Sequence, residues 1–388
     1  MKKILAMLLA VVMVLGLVAC GGEKPAETKA PADNTPEAST PAVTNTEYKI
    51  AMITDYGDIT DQSFNQTTYE AVVAFSEANG VDYIYYKPQG DNDSERVAMI
   101  EYAIAEGYNI IVMPGYAFAN AIKETAPAYE DVLFFALDVG AGDFGDWELP
   151  ANVYSAIYQE ELCGYMAGYA AVKLGYKHVG FLGGMAVPAV VRYGYGFVQG
   201  VDAAAVELGI ADQVKIEYVY GNQFYGDADI TAVMDTWYGE KKVECVFACG
   251  GGIWTSAAEA AVKVGGKVIG VDVDQAAIID GMFGEGLTVT SAMKGLYPTT
   301  VDTLTDVVLN GNWAKYSGKI ETLGLISADP EVNYVQIPMN TTQFAEGFTA
   351  EDYKALVAGM FEGTITVSDD VANAPATEIA VEYYPNIK

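Results

Sequence analysis

The feature that most constrains the fold is a regular alternation of strand-like and helix-like segments from Tyr48 onward. Short runs rich in β-branched and aromatic residues are each followed by a turn and then by apolar residues at i, i+3, i+4 spacing. The first unit predicts a strand at 49–54 and a helix at 63–79, which Gly80 ends. This alternation predicts an α/β fold of parallel sheets with helices on both faces.

The number of strand-like runs is too large for one sheet and indicates two lobes. The strands predicted are 49–54, 82–86, 110–113, 132–137, 153–157, 179–182, 214–219, 243–248, 268–271 and 288–292, and the helices between them include 63–79, 95–106, 159–174, 188–208 and 255–264. The glycine-rich, acidic stretch 138–150 predicts a crossover between two doubly wound parallel-sheet lobes joined by a hinge. We assign 47–150 and 288–316 to lobe I, and 151–287 and 317–388 to lobe II.

The N-terminus predicts export and lipid anchoring. Lys2 and Lys3 precede an apolar run that ends at Ala19, and as a helix this run would reach only about 24 Å, short of a bilayer core. Residues 1–19 are therefore interpreted as a signal peptide, and the sequence around Cys20 resembles the lipobox of bacterial lipoproteins. An ordinary signal peptide that contains a cysteine is the alternative.

Residues 20–46 continue this interpretation. They contain several prolines and almost no large apolar side chain, so they predict a lipidated cysteine followed by a disordered tether. The expected location is the cell membrane, with the folded body held by its lipid anchor on the extracytoplasmic side.

Charge and residue usage exclude several functions. The chain has 21 Lys+Arg against 52 Asp+Glu, a net charge of −31, which would repel nucleic acid. His178 is the single histidine, so zinc hydrolases of the HExxH type are excluded and no metal or cofactor is expected. Cys245 and Cys249 are too far apart on one strand for a disulfide, and with Cys163 they are interpreted as small core residues.

The carboxyl ends of the predicted strands carry the candidate site, because ligands of open parallel sheets bind there. The residues at or just past these ends include Asp55, Gly115, Asp138, Gly250, Asp272 and Lys294. Asp55 and Asp138 have an alternative role as helix N-caps. Lys294 follows an apolar strand in a chain with few basic residues, which favours a lysine that faces the cleft and pairs with an acid.

These segments resemble the basic membrane protein (Bmp, PnrA-like) family of ABC-transporter substrate-binding lipoproteins. The likeness runs through 55–66 (DYGDITDQSFNQ), 188–200 (PAVVRYGYGFVQG), 247–251 (FACGG), 270–275 (GVDVDQ) and 290–294 (TSAMK). The resemblance implies a type I periplasmic-binding-protein fold, a purine nucleoside such as adenosine, guanosine or inosine as ligand, and an ABC transporter permease as partner. It implies no catalysis.

The resemblance also assigns roles to residues of this chain. Phe64 would stack on one face of the base, and Phe224, or else Tyr225, would cover the other. Asp138 would accept hydrogen bonds from the base, with Asn65 assisting and Asp55 lining the same lobe. The last three predicted ligand-binding residues serve the sugar and its surroundings: Asp272 and Lys294 would hold the ribose hydroxyls, and Gly250 would allow close backbone approach.

Two other functions stay open at this point. A receptor that senses another small aromatic or sugar-like ligand would use the same site. A nucleoside hydrolase built on Asp55, Asp58 and Asp61 is less favoured, because these acids lack the dense DxDxxxDD-like clustering of a calcium-dependent hydrolase.

Overall fold

The computed structural model describes residues 47–388. The predicted signal peptide (1–19), the lipidated Cys20 and the tether (20–46) lie outside the described residues and stay predictions. Among the described residues, no helix combines the length and apolar character needed to cross a bilayer.

Thirteen strands form two sheets within residues 47–388. They are β1 Lys49–Ile53, β2 Asp82–Tyr86, β3 Ile110–Pro114, β4 Leu133–Leu137, β5 Val153–Tyr158, β6 His178–Gly183, β7 Lys215–Tyr220, β8 Cys245–Cys249, β9 Lys267–Asp272, β10 Thr288–Lys294, β11 Lys319–Leu323, β12 Val335–Gln336 and β13 Ala380–Tyr383. The first sheet has the order β11-β5-β4-β3-β1-β2 and the second β12-β10-β9-β8-β6-β7-β13. All pairs are parallel except β10 with β12.

The helices cover both faces of each sheet. They are α1 Phe64–Asn79, α2 Asp93–Ala105, α3 Ala119–Thr125, α4 Ala141–Phe144, α5 Glu160–Lys173, α6 Pro188–Glu207, α7 Ala228–Asp235, α8 Trp254–Val262, α9 Ala276–Phe283, α10 Leu296–Leu304 and α11 Ala350–Phe361. The strand interiors are almost continuously buried, as expected for a parallel sheet covered on both sides. The predicted α/β class with two parallel-sheet lobes is confirmed.

The chain crosses between the lobes at three places within the described residues: after β5, after β10 and after β11. We therefore use lobe I for the first sheet with α1–α4 and α10, and lobe II for the second sheet with α5–α9 and α11. Because these connections lie at strand ends, the carboxyl ends of both sheets face the same region. Three parallel connections of this kind allow the lobes to move about a hinge.

This strand pairing corrects the predicted lobe boundaries. Strand β5 lies in the predicted lobe II range 151–287, and β11 lies in 317–388, but both pair within the first sheet. Strand β10 lies in the predicted lobe I range 288–316, but it pairs with β9 in the second sheet. The reason is that the chain changes lobe only after a strand is complete. The glycine-rich stretch 138–150 is not a crossover; it forms α4 and turns beside the cleft.

Helices α5 and α6 pack so closely that their contact has no room for side chains at certain positions. A Cβ atom on Gly164 would lie 2.2 Å from the backbone oxygen of Tyr193, and one on Gly196 would lie 2.1 Å from that of Glu161. Glycine at these positions lets the two backbones touch. The close approach fixes the first turn of α5 against α6, and both elements contribute to the site.

The cysteines lie in the core, as predicted, and the single histidine lies away from the cleft. Cys163, Cys245 and Cys249 are free thiols in the core. His178 begins β6, and its Nε2 lies 2.8 Å from Oε1 of Glu217, at the opposite end of the strand from the cleft.

Candidate functional site

A cavity of about 600 Å³ lies between the carboxyl ends of the two sheets. All eight residues predicted to bind ligand line it: Asp55, Phe64, Asn65, Asp138, Phe224, Gly250, Asp272 and Lys294. They come from both lobes, so the cavity is an interlobe cleft. Its volume is in the range of pockets that enclose small molecules.

Two of the cavity carboxylates lie on strained backbone. Asp138 directly follows β4 with φ of 61°, and Asp272 ends β9 with φ of 64°. A non-glycine residue in this left-handed region costs about 1–3 kcal/mol, and such strain clusters at functional sites. The surrounding structure holds both side chains toward the cavity at that cost.

Lys294 is the centre of a buried ionic cluster. Its Nζ makes its shortest contact with Oδ2 of Asp138 across the cleft, and lies 3.4 Å from Oε1 of Glu160 and 3.6 Å from Oδ1 of Asp272. Asp138 and Asp272 thus share one ammonium group with Glu160. Asp138, predicted to accept from the base, and Asp272, predicted to act with Lys294 on the ribose, therefore belong to one cluster.

The electrostatics follow from three carboxylates around one cation. Burial raises the pKa of Asp138 to about 6, and the opposing effect of Lys294 does not cancel it because Glu160 and Asp272 add like charge. Burial alone would lower the pKa of Lys294, but the three carboxylates together raise it above its ordinary value. The lysine is therefore a permanent cation in the cleft.

The cluster extends to an arginine that the sequence analysis does not single out. Nε of Arg192, on α6, donates to Oε2 of Glu160 at 2.6 Å, so Glu160 joins the two cations. Glu160 is fully buried in the first turn of α5, where the helix dipole favours a negative charge. Neither residue has a sequence signal of its own, because their meeting depends on how α5 packs against α6.

The two predicted aromatic residues come from opposite lobes. The ring of Phe64, in the first turn of α1, has its centroid 4.8 Å from Nζ of Lys294. Phe224 lies against Gly184 and Gly250: a Cβ atom on Gly184 would lie 2.4 Å from Cδ1 of Phe224, and one on Gly250 would lie 2.9 Å from Cα of Gly184. The absence of side chains at both glycines makes room for the Phe224 ring. Tyr225 also lines the cavity but is 58% exposed.

The acidic loop before α1 is a folded turn rather than a free cation-binding loop. Oδ1 of Asp55 accepts hydrogen bonds from the backbone N–H groups of Tyr56 and Gly57, both at 2.7 Å, and from Nδ2 of Asn65 at 3.2 Å. Asp61, not Asp55, accepts from the first N–H groups of α1. Burial raises the pKa of Asp55 despite the two amide hydrogen bonds.

Two polar atoms in the cavity wall have no hydrogen-bond partner among residues 47–388. They are Oδ1 of Asp138 and Oδ1 of Asn65, and both are buried. An unpaired buried acceptor costs about 1–3 kcal/mol, so such atoms are expected to meet a donor. Both belong to residues predicted to contact the ligand.

Hydrogen bonds across the cleft hold the lobes in a closed arrangement. Oγ of Ser63, in lobe I, donates to Oδ2 of Asp272 at 2.6 Å. Nε2 of Gln275, in lobe II, donates to the backbone oxygen of Gln62 at 3.2 Å and to that of Gly251 at 3.3 Å. Ser63 and Gln275 were not predicted to bridge the lobes, because neither residue type signals a contact across lobes.

The described part of the chain holds no cluster of three or more His, Cys, Asp or Glu side chains arranged to bind a metal ion. What the site presents is a large apolar wall, two aromatic rings and fixed charges. This is the composition of a binding pocket, with hydrophobic walls and a few placed polar groups.

Two parallel-sheet lobes linked by three connections, with an enclosing cleft at their strand ends, define the type I periplasmic-binding-protein fold. Among solved structures, an ABC transporter solute-binding protein from Aeropyrum pernix K1 superimposes with a TM-score of 0.63 at 20% identity, covering 82% of this chain and 87% of that one. At this level of identity the similarity establishes the fold.

The family follows from the sequence comparison. The profile described as ABC transporter substrate-binding protein PnrA-like (Bmp) matches residues 48–340, so the chain belongs to this family, as the sequence analysis predicts. The ABC transporter nucleoside-binding protein BmpA of Lactococcus lactis subsp. cremoris (strain MG1363) is 26% identical over 243 residues, 59% of this chain and 65% of that protein. Basic membrane protein B of Borreliella afzelii (strain PKo) is 25% identical over 287 residues, 72% of this chain and 79% of that protein.

Proposed function

We propose that this protein is the substrate-binding lipoprotein of an ABC importer and that it holds a purine nucleoside between its lobes. The observation that carries the proposal is the pair Phe64 and Phe224, which approach one cavity from opposite lobes. A flat ring is the ligand that two such side chains accommodate best. Family membership supports a transported solute, and one relative is named a nucleoside-binding protein.

Stacking supplies the first part of the affinity. Base–aromatic stacking contributes about 1–3 kcal/mol per contact. A base between Phe64 and Phe224 would therefore gain about 2–6 kcal/mol from its two faces. Since every base has a π-face, stacking favours nucleosides as a class and leaves the choice among them to polar groups.

The unpaired acceptors supply the second part. Oδ1 of Asp138 and Oδ1 of Asn65 would accept hydrogen bonds from N–H groups at the edge of the base. Asp272 would accept from ribose hydroxyls, and Lys294 would donate to them. Hydrogen bonds to charged groups contribute about 1.5–3 kcal/mol each, which together with stacking is enough for micromolar affinity or better.

The charges in the cleft favour a nucleoside over a nucleotide. The cations Lys294 and Arg192 are already paired with Asp138, Asp272 and Glu160. A phosphate group would add further negative charge next to these carboxylates. We therefore expect the 5′-monophosphates to bind much more weakly than the nucleosides.

Transport would depend on lobe movement. Ligand contacts from both lobes would stabilise the closed arrangement, which a membrane permease would then recognise. The predicted lipid on Cys20 would keep the folded body near that permease at the outer face of the membrane.

The test is direct binding of a ligand panel. Residues 47–388, which have their own hydrophobic cores, would be incubated with adenosine, guanosine, inosine, uridine, ribose and the matching monophosphates. A nucleoside at 100 times its Kd should stabilise the protein by about 2.7 kcal/mol, seen as a raised Tm. Chromatography should return the nucleoside intact. Free base and ribose would instead indicate a hydrolase, and stabilisation by ribose alone a sugar-binding protein.

Aromatic variants locate the ligand in this cavity. Phe64→Ala and Phe224→Ala should each weaken nucleoside binding by about 5- to 150-fold, the equivalent of one lost stacking contact. Phe361→Ala is the matched control, because Phe361 is half exposed on α11 and does not line the cavity. Calorimetry would measure the affinities. Wild-type affinity in both Phe64→Ala and Phe224→Ala would mean that the ligand binds elsewhere.

A further inference from the structure

The segment that follows α11 reaches the ligand cavity. Residues 362–379, which we call the C-terminal strap, connect α11 with the edge strand β13. Val371, near the middle of the strap, lines the cavity together with residues of both lobes. The strap lies wholly beyond residue 340, where the family match ends. This part of the cavity wall therefore lies outside the residues that the family profile matches.

The strap is attached to lobe II. Gln199 on α6 pairs with the backbone of Ser368: its Nε2 donates to the carbonyl at 3.0 Å, and its Oε1 accepts from the N–H at 2.8 Å. Asp202, one helical turn further on, accepts from the N–H groups of Glu378 at 2.7 Å and Ile379 at 3.0 Å. The other described hydrogen bonds of the strap are made within the strap or to the last turn of α11.

The surroundings of Val371 explain what such a segment can do. On the lobe I side the same cavity is lined by Gly140–Asp143, and on the lobe II side by Val187 and Pro188. Val371 lines the cavity and 39% of its surface is exposed to solvent. A side chain in this position lies at the mouth of the cleft. Because the described hydrogen bonds between the strap and the body go to α6 of lobe II, the strap is expected to move with lobe II when the lobes close or open.

We propose that the C-terminal strap forms part of the ligand site and that Val371 controls the release of bound ligand. The proposal rests on the function proposed above, since it requires a ligand in the cleft. Asp369 and Asp370 precede Val371 in the strap, and their charge would disfavour an anionic ligand near this side chain. The strap retains ligand by placing the apolar side chain of Val371 at the cavity wall.

Release and association rates test this directly. The comparison uses Val371→Gly and Val371→Trp in residues 47–388, with inosine and adenosine as probes and stopped-flow fluorescence as the readout. Val371→Gly should release nucleoside about 3- to 10-fold faster, because the apolar cover is lost. Val371→Trp should slow association by a similar factor, because the larger side chain narrows the mouth.

A matched pair of controls separates this effect from a change in folding. Val264 is an exposed valine of lobe II that does not line the cavity, so Val264→Gly and Val264→Trp should leave both rates unchanged. Wild-type rates in both Val371 variants would overturn the role of the strap while leaving nucleoside binding intact. A wild-type protein that binds no nucleoside would remove both proposals. Should Val371→Trp lower the Tm of the free protein, the release rate of Val371→Gly decides alone.

Discussion

Asp138 allows a quantitative test of the ionic cluster through Asp138→Asn. Burial raises the pKa of this carboxyl from its ordinary 3.8 to about 6 in the folded protein. Between these two values the folded state holds a proton that the unfolded chain has lost, so stability falls as pH rises. At about 1.4 kcal/mol per pH unit, the difference corresponds to about 3 kcal/mol. That contribution is fully present below pH 3.8 and is lost as pH rises through about 6.

The asparagine variant keeps the shape of the side chain and removes its titration. Urea unfolding at intervals from pH 4 to pH 7 would give the free energy of unfolding of the wild type and of Asp138→Asn. Their difference, wild type minus variant, should decrease by about 2–3 kcal/mol across this range, because acids outside the Lys294 cluster cancel in the subtraction. Asp82→Asn, at an exposed position paired with Lys49, should give a flat difference. A flat or rising difference for Asp138→Asn would refute the reasoning.

Further perturbations address closure, packing and anchoring. Gln275→Glu keeps the oxygen that accepts from the N–H of Val271 but replaces the Nε2 group that donates to the backbone oxygen of Gln62 with a second acceptor. Nucleoside affinity measured by calorimetry should therefore fall by about 10-fold or more. Unchanged affinity would mean that this hydrogen bond between the lobes does not stabilise closure. Gly196→Ala should lower the free energy of unfolding by about 1–3 kcal/mol because its Cβ would meet α5 backbone, whereas Gly239→Ala, which has open space, should cost far less. Cys20→Ser in the full-length chain should move the protein from the membrane fraction to the soluble fraction, and retention at the membrane would contradict lipidation at that cysteine.

Strands and helices were predictable because parallel sheets bury whole strands. The runs at 82–86 and 110–113 correspond to β2 and β3 within one residue, and the helix at 188–208 to α6. β11 and β13 were not predicted, since both are short, largely exposed strands at sheet edges that include charged residues. An edge strand has weak sequence signals of its own; its pairing depends on the neighbour that the fold provides.

The assignment of strands to lobes was less predictable for a different reason. Buried strands such as β5 and β10 have the same apolar character in either sheet, so composition does not reveal which neighbour they pair with. The carboxylates and Lys294 were predictable because their positions at strand ends follow from the strands themselves. Glu160 and Arg192 depend on how α5 and α6 pack, which glycine spacing permits but does not specify.

The three crossings between the lobes also determine when the protein can finish folding. Synthesis delivers five strands of the first sheet by Tyr158, but the sixth, β11, ends only at Leu323, after five of the seven strands of the second sheet have been made. Until then the edge of β5 lacks its partner, and the missing contacts join residues far apart along the chain. Contacts of such long range form slowly. If the predicted signal peptide directs export, a topology that completes late would keep the chain from becoming compact before it crosses a narrow secretion channel.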